Sequence, residues 1–234
     1  MSREQRTRSL APRAARFQRG LLRWYARHQR PLPWRQTRDP YRILVSEIML
    51  QQTQVIRVEE FYRRFLGRYP SIAALAAARP GQVRDAWAGL GYYARARNLH
   101  AAARTVVRTM GGRLPSEPSD LERLPGIGRY TAAAVASIAF GRDVGTVDTN
   151  IVRVLGRAFR LPGRVGSAVR AKATWRAVNR LVPPGRASEW NQALMDLGAT
   201  ICVARAPRCE RCPVRAACVT GRRRTPARRR PTSR

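Results

Sequence analysis

Lysine is almost missing from this chain: Lys172 is the single one, and arginine supplies the other basic residues. Acids are scarce as well, with 14 aspartates and glutamates against 46 basic residues and a formal net charge of +32. Genome composition can favour arginine over lysine, but it does not explain the shortage of acids. The surplus points to a polyanionic partner, nucleic acid first. No apolar run approaches the ~20 residues that a membrane-crossing helix needs, and a secretory leader is not expected. A cytoplasmic protein without a membrane partner is the expectation. The 234 residues suffice for one generous core or two small domains sharing a cleft, and nothing demands more than a monomer.

Strand-like alternation is also wanting. Helical periodicity predicts helices over 45–54, 57–65, 82–87, 95–110, 130–140, 150–159, 168–181 and 187–201, separated by glycine and proline turns. The protein reads as all-α. An earlier apolar pattern at helical spacing, Phe17, Leu21, Leu22 and Tyr25, stops where Pro31 and Pro33 forbid continuation. Residues 1–16 are basic and poor in large apolar groups, so a disordered arm is expected there. Residues 219–234, with Arg222 to Arg224 and Arg228 to Arg230 among Pro, Thr and Ser, read as a disordered basic tail.

Cysteine is absent before residue 202; four then occur as Cys202-x6-Cys209-x2-Cys212-x5-Cys218. Four thiols in one short segment read as ligands of one metal centre. A disulfide framework is the alternative for a small secreted chain. Zinc is another, since all-thiolate tetrahedral sites are common. A zinc ribbon, however, usually brings two Cys-x2-Cys pairs, and only one is present. The uneven spacing suits a loop wrapped around a [4Fe–4S] cluster, which cysteine thiolates also hold.

Leu124-Pro125-Gly126-Ile127-Gly128-Arg129-Tyr130 lies between two helical segments. Its glycines permit a tight hairpin, and the next helix opens with unpaired amides that can face a phosphate. In most sequences such a hairpin is only a connector. The basic context favours a phosphate clamp made by Gly126, Gly128, Arg129 and Tyr130. Glu47 is flanked by Leu44, Val45, Ile48 and Met49. A carboxyl in apolar surroundings has its pKa pushed up, which suits a general acid; an exposed glutamate on an amphipathic helix is the ordinary alternative. Asp148 stands before the helix at 150–159, where an aspartate is commonly an N-cap. Such a cap is also held rigidly and kept ionised by the dipole, as stabilising a developing cation requires.

Several longer stretches accompany these: Leu32-Pro33-Trp34-Arg35, Ser46-Glu47-Ile48-Met49-Leu50-Gln51-Gln52-Thr53-Gln54 and Gly89-Leu90-Gly91-Tyr92-Tyr93-Ala94-Arg95. Further on come Val147-Asp148-x-Asn150 and Trp190-Asn191-Gln192-Ala193-Leu194-Met195-Asp196-Leu197-Gly198. With the hairpin and the cysteines, they make the chain resemble the helix-hairpin-helix DNA glycosylases of the endonuclease III superfamily over about residues 20–218. The match is best to the MutY branch, which removes adenine from A/G mispairs.

The resemblance implies a six-helix barrel at 36–146, with the hairpin at 121–134, and an iron–sulfur domain joining 17–35 to 147–218. Double-stranded DNA carrying a mismatch or lesion would lie across the cleft between them, with the target base extruded. Glu47 would protonate the purine and Asp148 would stabilise the oxocarbenium-like sugar. Gln52 and Tyr92 match residues that wedge into the duplex. Arg30, Leu32, Trp34, Arg35, Leu50, Gln192 and Met195 match residues around the adenine, although core packing explains Leu32, Leu50 and Met195 about as well. Tyr130 stands where the lyase branch has a lysine, which implies base removal without efficient strand cleavage. It is also a plain packing aromatic by type.

The pattern departs from the branch in two places. MutY proteins normally continue into a second domain that reads 8-oxoguanine, which is expected to be absent here, and Thr149 replaces the usual glycine. Two other functions stay open: a thymine or uracil glycosylase acting opposite guanine, and a catalytically silent lesion-binding iron–sulfur protein. The retained Glu47 and Asp148 argue against the second.

Overall fold

The computed structural model describes residues 3–223, with side chains from residue 12 onward, and every regular element among them is helical. The α-helices are α1 (Arg3–His28), α2 (Pro40–Leu50), α3 (Val55–Arg68), α4 (Ile72–Ala77), α5 (Pro80–Ala86) and α6 (Ala94–Thr109). They continue with α7 (Pro118–Leu121), α8 (Arg129–Phe140), α9 (Thr149–Phe159), α10 (Ala168–Leu181), α11 (Ala187–Thr200) and α12 (Val219–Arg223). Single 3-10 turns occupy Pro33–Arg35, Cys209–Arg211 and Arg215–Ala217. Among the described residues no helix is long and apolar enough to cross a membrane.

The chain forms two compact units. One comprises Arg30–Val144 and Pro184–Ser188, and its core gathers Ile43, Ile48, Met49, Phe65, Trp87, Leu99, Leu121 and Val135 from α2 to α8. The other comprises Met1–Gln29, Gly145–Pro183 and Glu189–Arg234. Its core gathers Phe17 and Leu21 of α1, Ile151 and Leu155 of α9, Val178 of α10 and Trp190 and Leu194 of α11.

Local chemistry sets the helix ends. Asp39 caps α2, its Oδ1 accepting from the Arg42 amide at 3.0 Å, and Pro40 supplies a first helical residue already at the right φ. This starts α2 five residues earlier than its apolar periodicity predicts. It also ends earlier, at Leu50 rather than 54, because Gln52 turns to φ 58°. Ser71 caps α4, whose six residues are too few to give a periodic signal and lie in none of the predicted helices. The four-residue α7, opened by Pro118, escaped for the same reason.

Three expectations are corrected. Residues 3–16 belong to α1 rather than to a disordered arm. Arginine and alanine, both good helix formers, supply eight of these fourteen residues and outweigh Pro12, whereas apolar periodicity marks only the stretch that is buried. Residues 30–35 belong with the α2–α8 unit and not with the cysteine-bearing one, because Leu32 and Trp34 are buried in its core. Residues 219–223 form α12, held by the Thr220 hydroxyl donating to the Arg157 carbonyl at 2.8 Å. The remainder of the arginine tail, 224–234, lies outside the described residues.

Candidate active site and cysteine centre

Glu47 sits in the middle of α2 with its residue 5% exposed, between buried Leu44, Val45, Ile48 and Met49. The apolar setting expected from its neighbours is therefore present. Helix α2 packs on α8, and the Gln51 amide donates to the Thr131 hydroxyl at 3.3 Å, tying the exit of α2 to the first turn of α8. That first turn carries exposed Arg129 and half-buried Tyr130. Leu50 is partly buried against the same core. Leu32 and Trp34 are themselves core residues, Trp34 meeting Tyr62 edge-on at 5.5 Å between ring centroids. Packing accounts for both. Arg30 and Arg35 are half-buried, with the Arg35 guanidinium donating to the Arg30 carbonyl at 3.4 Å.

Gln52 and Tyr92 differ from all of these. Both are exposed, and both have positive φ, 58° and 51°. Left-handed backbone costs a side-chain-bearing residue roughly 1–2 kcal/mol. Such strain survives only where the surroundings over-determine it, and it gathers at ligand-contacting sites.

The glycines of the hairpin have different duties. Gly126 has φ 72°, and a Cβ there would stand 2.4 Å from the Asn98 Cβ, so only glycine lets the hairpin close on α6. Gly128 is the N-cap of α8 at φ −90°, and a Cβ there would meet nothing within 4 Å. Its surroundings are open, at the start of a helix whose first turn holds Arg129 and no acid.

In the other unit, Asp148 is the N-cap of α9. Its Oδ1 accepts from the Ile151 amide at 2.7 Å and its Oδ2 from the Asn150 side-chain amide at 2.8 Å. Both oxygens are thus fixed in direction. Burial nonetheless pushes the Asp148 carboxyl above its ordinary value, outweighing the opposing pull of those hydrogen bonds and of Arg153. Asn150 is in turn held by Arg153, which donates to the Asn150 Oδ1 at 2.6 Å, the Gly198 carbonyl at 2.8 Å and the Cys202 carbonyl at 2.7 Å. Helices α9 and α11 come close enough for this because residue 198 is glycine: a Cβ there would lie 2.5 Å from the Asn150 Cβ. On α11, Gln192 Oε1 accepts from the Tyr25 hydroxyl at 3.2 Å, and Met195 is partly buried against the core of this unit.

The four cysteines are all free thiols and line one pocket, together with Arg157, Arg208 and Arg215. Helix α9 reaches into this segment through Arg157, which donates to Cys202 Sγ at 3.5 Å, the Val203 carbonyl at 2.7 Å and the Ala204 carbonyl at 2.8 Å. The Gly221 amide donates to Cys218 Sγ at 3.2 Å. Burial pushes the Cys212 thiol up to about 12, the other cysteines adding to the effect, and Cys218 is raised for the same leading reason. At Cys212 and Cys218 the bare thiolate is disfavoured by burial, so a cationic metal centre is what would make them ligands. The all-sulfur donor set fits iron–sulfur or zinc. Among the described residues, no three His, Cys, Asp or Glu side chains converge closely enough to hold a single metal ion.

Sequence reasoning did not assign roles to Asn150, Arg153, Arg157 or Arg95. The first two were legible in principle, since Asn150 and Arg153 lie three apart on one helix face just past a capping aspartate. Arg157 and Arg95 act through carbonyl groups distant in sequence, which no spacing reveals.

Residues 45–183 match the family described as HhH-GPD superfamily base excision DNA repair protein. The adenine DNA glycosylase of Homo sapiens is 43% identical over 211 residues, covering 86% of this chain and 39% of that protein. That of Mycolicibacterium smegmatis is 45% identical over 199 residues, covering 83% and 66%. The chain spans about two fifths of the length of the mammalian relatives it matches. Among solved structures, a thermostable thymine-DNA glycosylase aligns with TM-score 0.82 at 33% identity, over 92% of this chain and 99% of that one. An endonuclease III captured as a covalent DNA intermediate has the same fold, with TM-score 0.75 at 23% identity.

Proposed function

The chain belongs to the HhH-GPD superfamily of base excision DNA repair proteins, and from that premise we propose that it hydrolyses the N-glycosidic bond of adenine mispaired with guanine or 8-oxoguanine. The observation that carries this is Glu47, a carboxyl buried on a helix whose buried neighbours are almost all apolar. Burying an ionisable group there is costly and serves no packing purpose. The adenine specificity is supported by the curated relatives, of which this chain matches one part.

In the proposed reaction, the target nucleotide leaves the helix stack, since its glycosidic bond is out of reach within it. Glu47 donates its proton to the purine N7, and the C1′–N9 bond breaks with its electron pair passing to the base. Asp148, ionised and fixed at both oxygens, stabilises the positive charge left on the sugar. Water then adds to C1′, and its proton returns to the Glu47 carboxylate. Tyr130 assists near the sugar without forming a covalent bond, because a phenol makes no Schiff base; the single lysine, Lys172, is on α10. Strand cleavage is therefore weak. Gln192, Arg30 and Arg35 contribute to holding the base, and Gln52 and Tyr92 fill the space it leaves. The hairpin amides beyond Gly126 and Gly128, with Arg129, grip a phosphate.

Cys202, Cys209, Cys212 and Cys218 are proposed to hold a [4Fe–4S] cluster rather than zinc. A zinc ribbon usually brings two Cys-x2-Cys pairs, whereas this segment has one, with uneven spacing around it. The cluster would supply structure, since hydrolysis at a sugar carbon transfers no electrons. Exposed Arg205, Arg208 and Arg211 around it would then meet phosphates.

The test is a panel of duplexes carrying A·G, A·8-oxoG, T·G and U·G, incubated with the protein and then treated with alkali. Adenine release supports the proposal. Release of pyrimidines alone transfers it to the thymine-directed alternative; strand breaks before alkali contradict the weak-lyase assignment.

A further inference from the structure

Arg95 lies in the first turn of α6 and is 8% exposed, a rare place for a guanidinium. Among the described residues it forms no ion pair with a carboxylate; its partners are mostly carbonyl oxygens. Nη1 donates to the carbonyls of Ile48 at 3.1 Å, Met49 at 2.7 Å and Gln51. These are the last acceptors of α2, which lack partners within the helix and sit at its negative end. Nη2 donates to the Thr53 hydroxyl and to the Gly91 carbonyl, each at 3.1 Å. The guanidinium also stands 5.1 Å from the Tyr92 ring centre and 5.7 Å from that of Trp87, and Trp87 Nε1 donates to the same Gly91 carbonyl at 3.1 Å.

The two strained residues are bracketed by these bonds. Gln52 lies between Gln51 and Thr53, and Tyr92 follows Gly91. One planar fork therefore closes both loops at once, which a lysine ammonium could not do. We infer that Arg95 is the positioning residue that joins the two loops into one rigid wedge, so that Gln52 and Tyr92 enter the duplex together as the target nucleotide leaves it. The inference rests on the role given above to those two side chains. Its physical content is preorganisation. Side chains that replace lost base stacking do so only if they are already held in the inserted geometry, and positive φ relaxes once its restraints are removed.

A purely structural arginine, capping α2 and nothing more, would slow every substrate alike. The wedge role is specific to substrates whose base must be pried from a partner. Arg95→Lys keeps the charge and loses the fork; Thr53→Val is nearly isosteric and cuts the tie to the Gln52 loop, together with the Thr53 hydroxyl's own bond to the Gln51 carbonyl at 3.4 Å. Single-turnover base release is compared on two duplexes, one with the target opposite guanine and one with it opposite an abasic gap. A 2-aminopurine beside the target reports unstacking in both. The expected result for Arg95→Lys is about a tenfold loss on the paired target, equivalent to ~1.4 kcal/mol, less than about threefold on the gapped one, and a smaller fluorescence rise on the paired duplex alone. Thr53→Val shifts the same readings in the same direction by less, and it decides alone if Arg95→Lys does not fold by circular dichroism. Equal losses on both duplexes, or an undiminished fluorescence rise, overturn the inference. A wild-type protein that releases no base from any duplex contradicts the proposed function instead, and the fluorescence comparison still reads the wedge.

Discussion

Asn150 donates to the Asp148 carboxylate at 2.8 Å through one end of its amide and accepts from Arg153 at 2.6 Å through the other. The orientation of Asp148 is therefore set from behind, by a guanidinium bonded to the Gly198 and Cys202 carbonyls. An amide suits the middle position because it is donor and acceptor at once. Asn150→Ala is expected to lower the single-turnover rate on the order of 10²-fold through misorientation, with DNA affinity nearly unchanged. Paired rate and binding measurements check this; a parallel fall in affinity would place Asn150 in DNA binding instead.

The raised pKa of Asp148 makes a statement about pH. A carboxyl raised on folding binds its proton more tightly in the native state than in the unfolded one. Its contribution to stability is then greatest at low pH and is lost as pH climbs from the ordinary 3.8 through the raised folded value. Asp148→Asn does not titrate. The stability of the wild type relative to this variant should fall across that window, while wild-type activity rises as the carboxylate ionises. Urea melts and rate measurements over one pH series test both slopes.

The two hairpin glycines should separate folding from binding. Gly126→Ala forces a contact with Asn98 and strains a positive φ, so a loss of about 1–3 kcal/mol in stability is expected. Gly128→Ala meets open space and normal backbone, so its melting temperature should hold while DNA affinity falls several-fold. Arg129→Ala should flatten the dependence of log K on log salt by about 0.9, the share of one phosphate contact.

Removing a sulfur from the cysteine pocket should act on the fold before it acts on chemistry. Cys212→Ser is expected to lose the broad absorbance near ~400 nm that marks an iron–sulfur centre and to lower the melting temperature. A colourless wild type containing one zinc per chain would refute the cluster assignment.

Much of this was legible in the residues, for identifiable reasons. Buried Glu47 and capping Asp148 could be read because apolar flanks and an aspartate before a helix are local signals. The start of α2 at Pro40 was equally local, in Asp39-Pro40, but apolar periodicity begins later and pulled the boundary inward. What was hidden depends on contacts made at a distance. The carbonyls at the end of α2 are bonded by Arg95, over forty residues away, and the membership of 30–35 is set by where Leu32 and Trp34 are buried. The pocket assignment of Trp34 was weaker than its motif suggested, because a tryptophan 6% exposed against Tyr62 is explained by packing.

The most direct measurement is adenine release from an A·8-oxoG duplex under enzyme excess, for the wild type, Glu47→Gln and Asp148→Asn, with duplex affinity determined in parallel. The expected result is release by the wild type and a loss of at least about 10²-fold in each variant, with binding retained. A Glu47→Gln or Asp148→Asn rate equal to that of the wild type would contradict the assignment of that carboxyl to the chemistry.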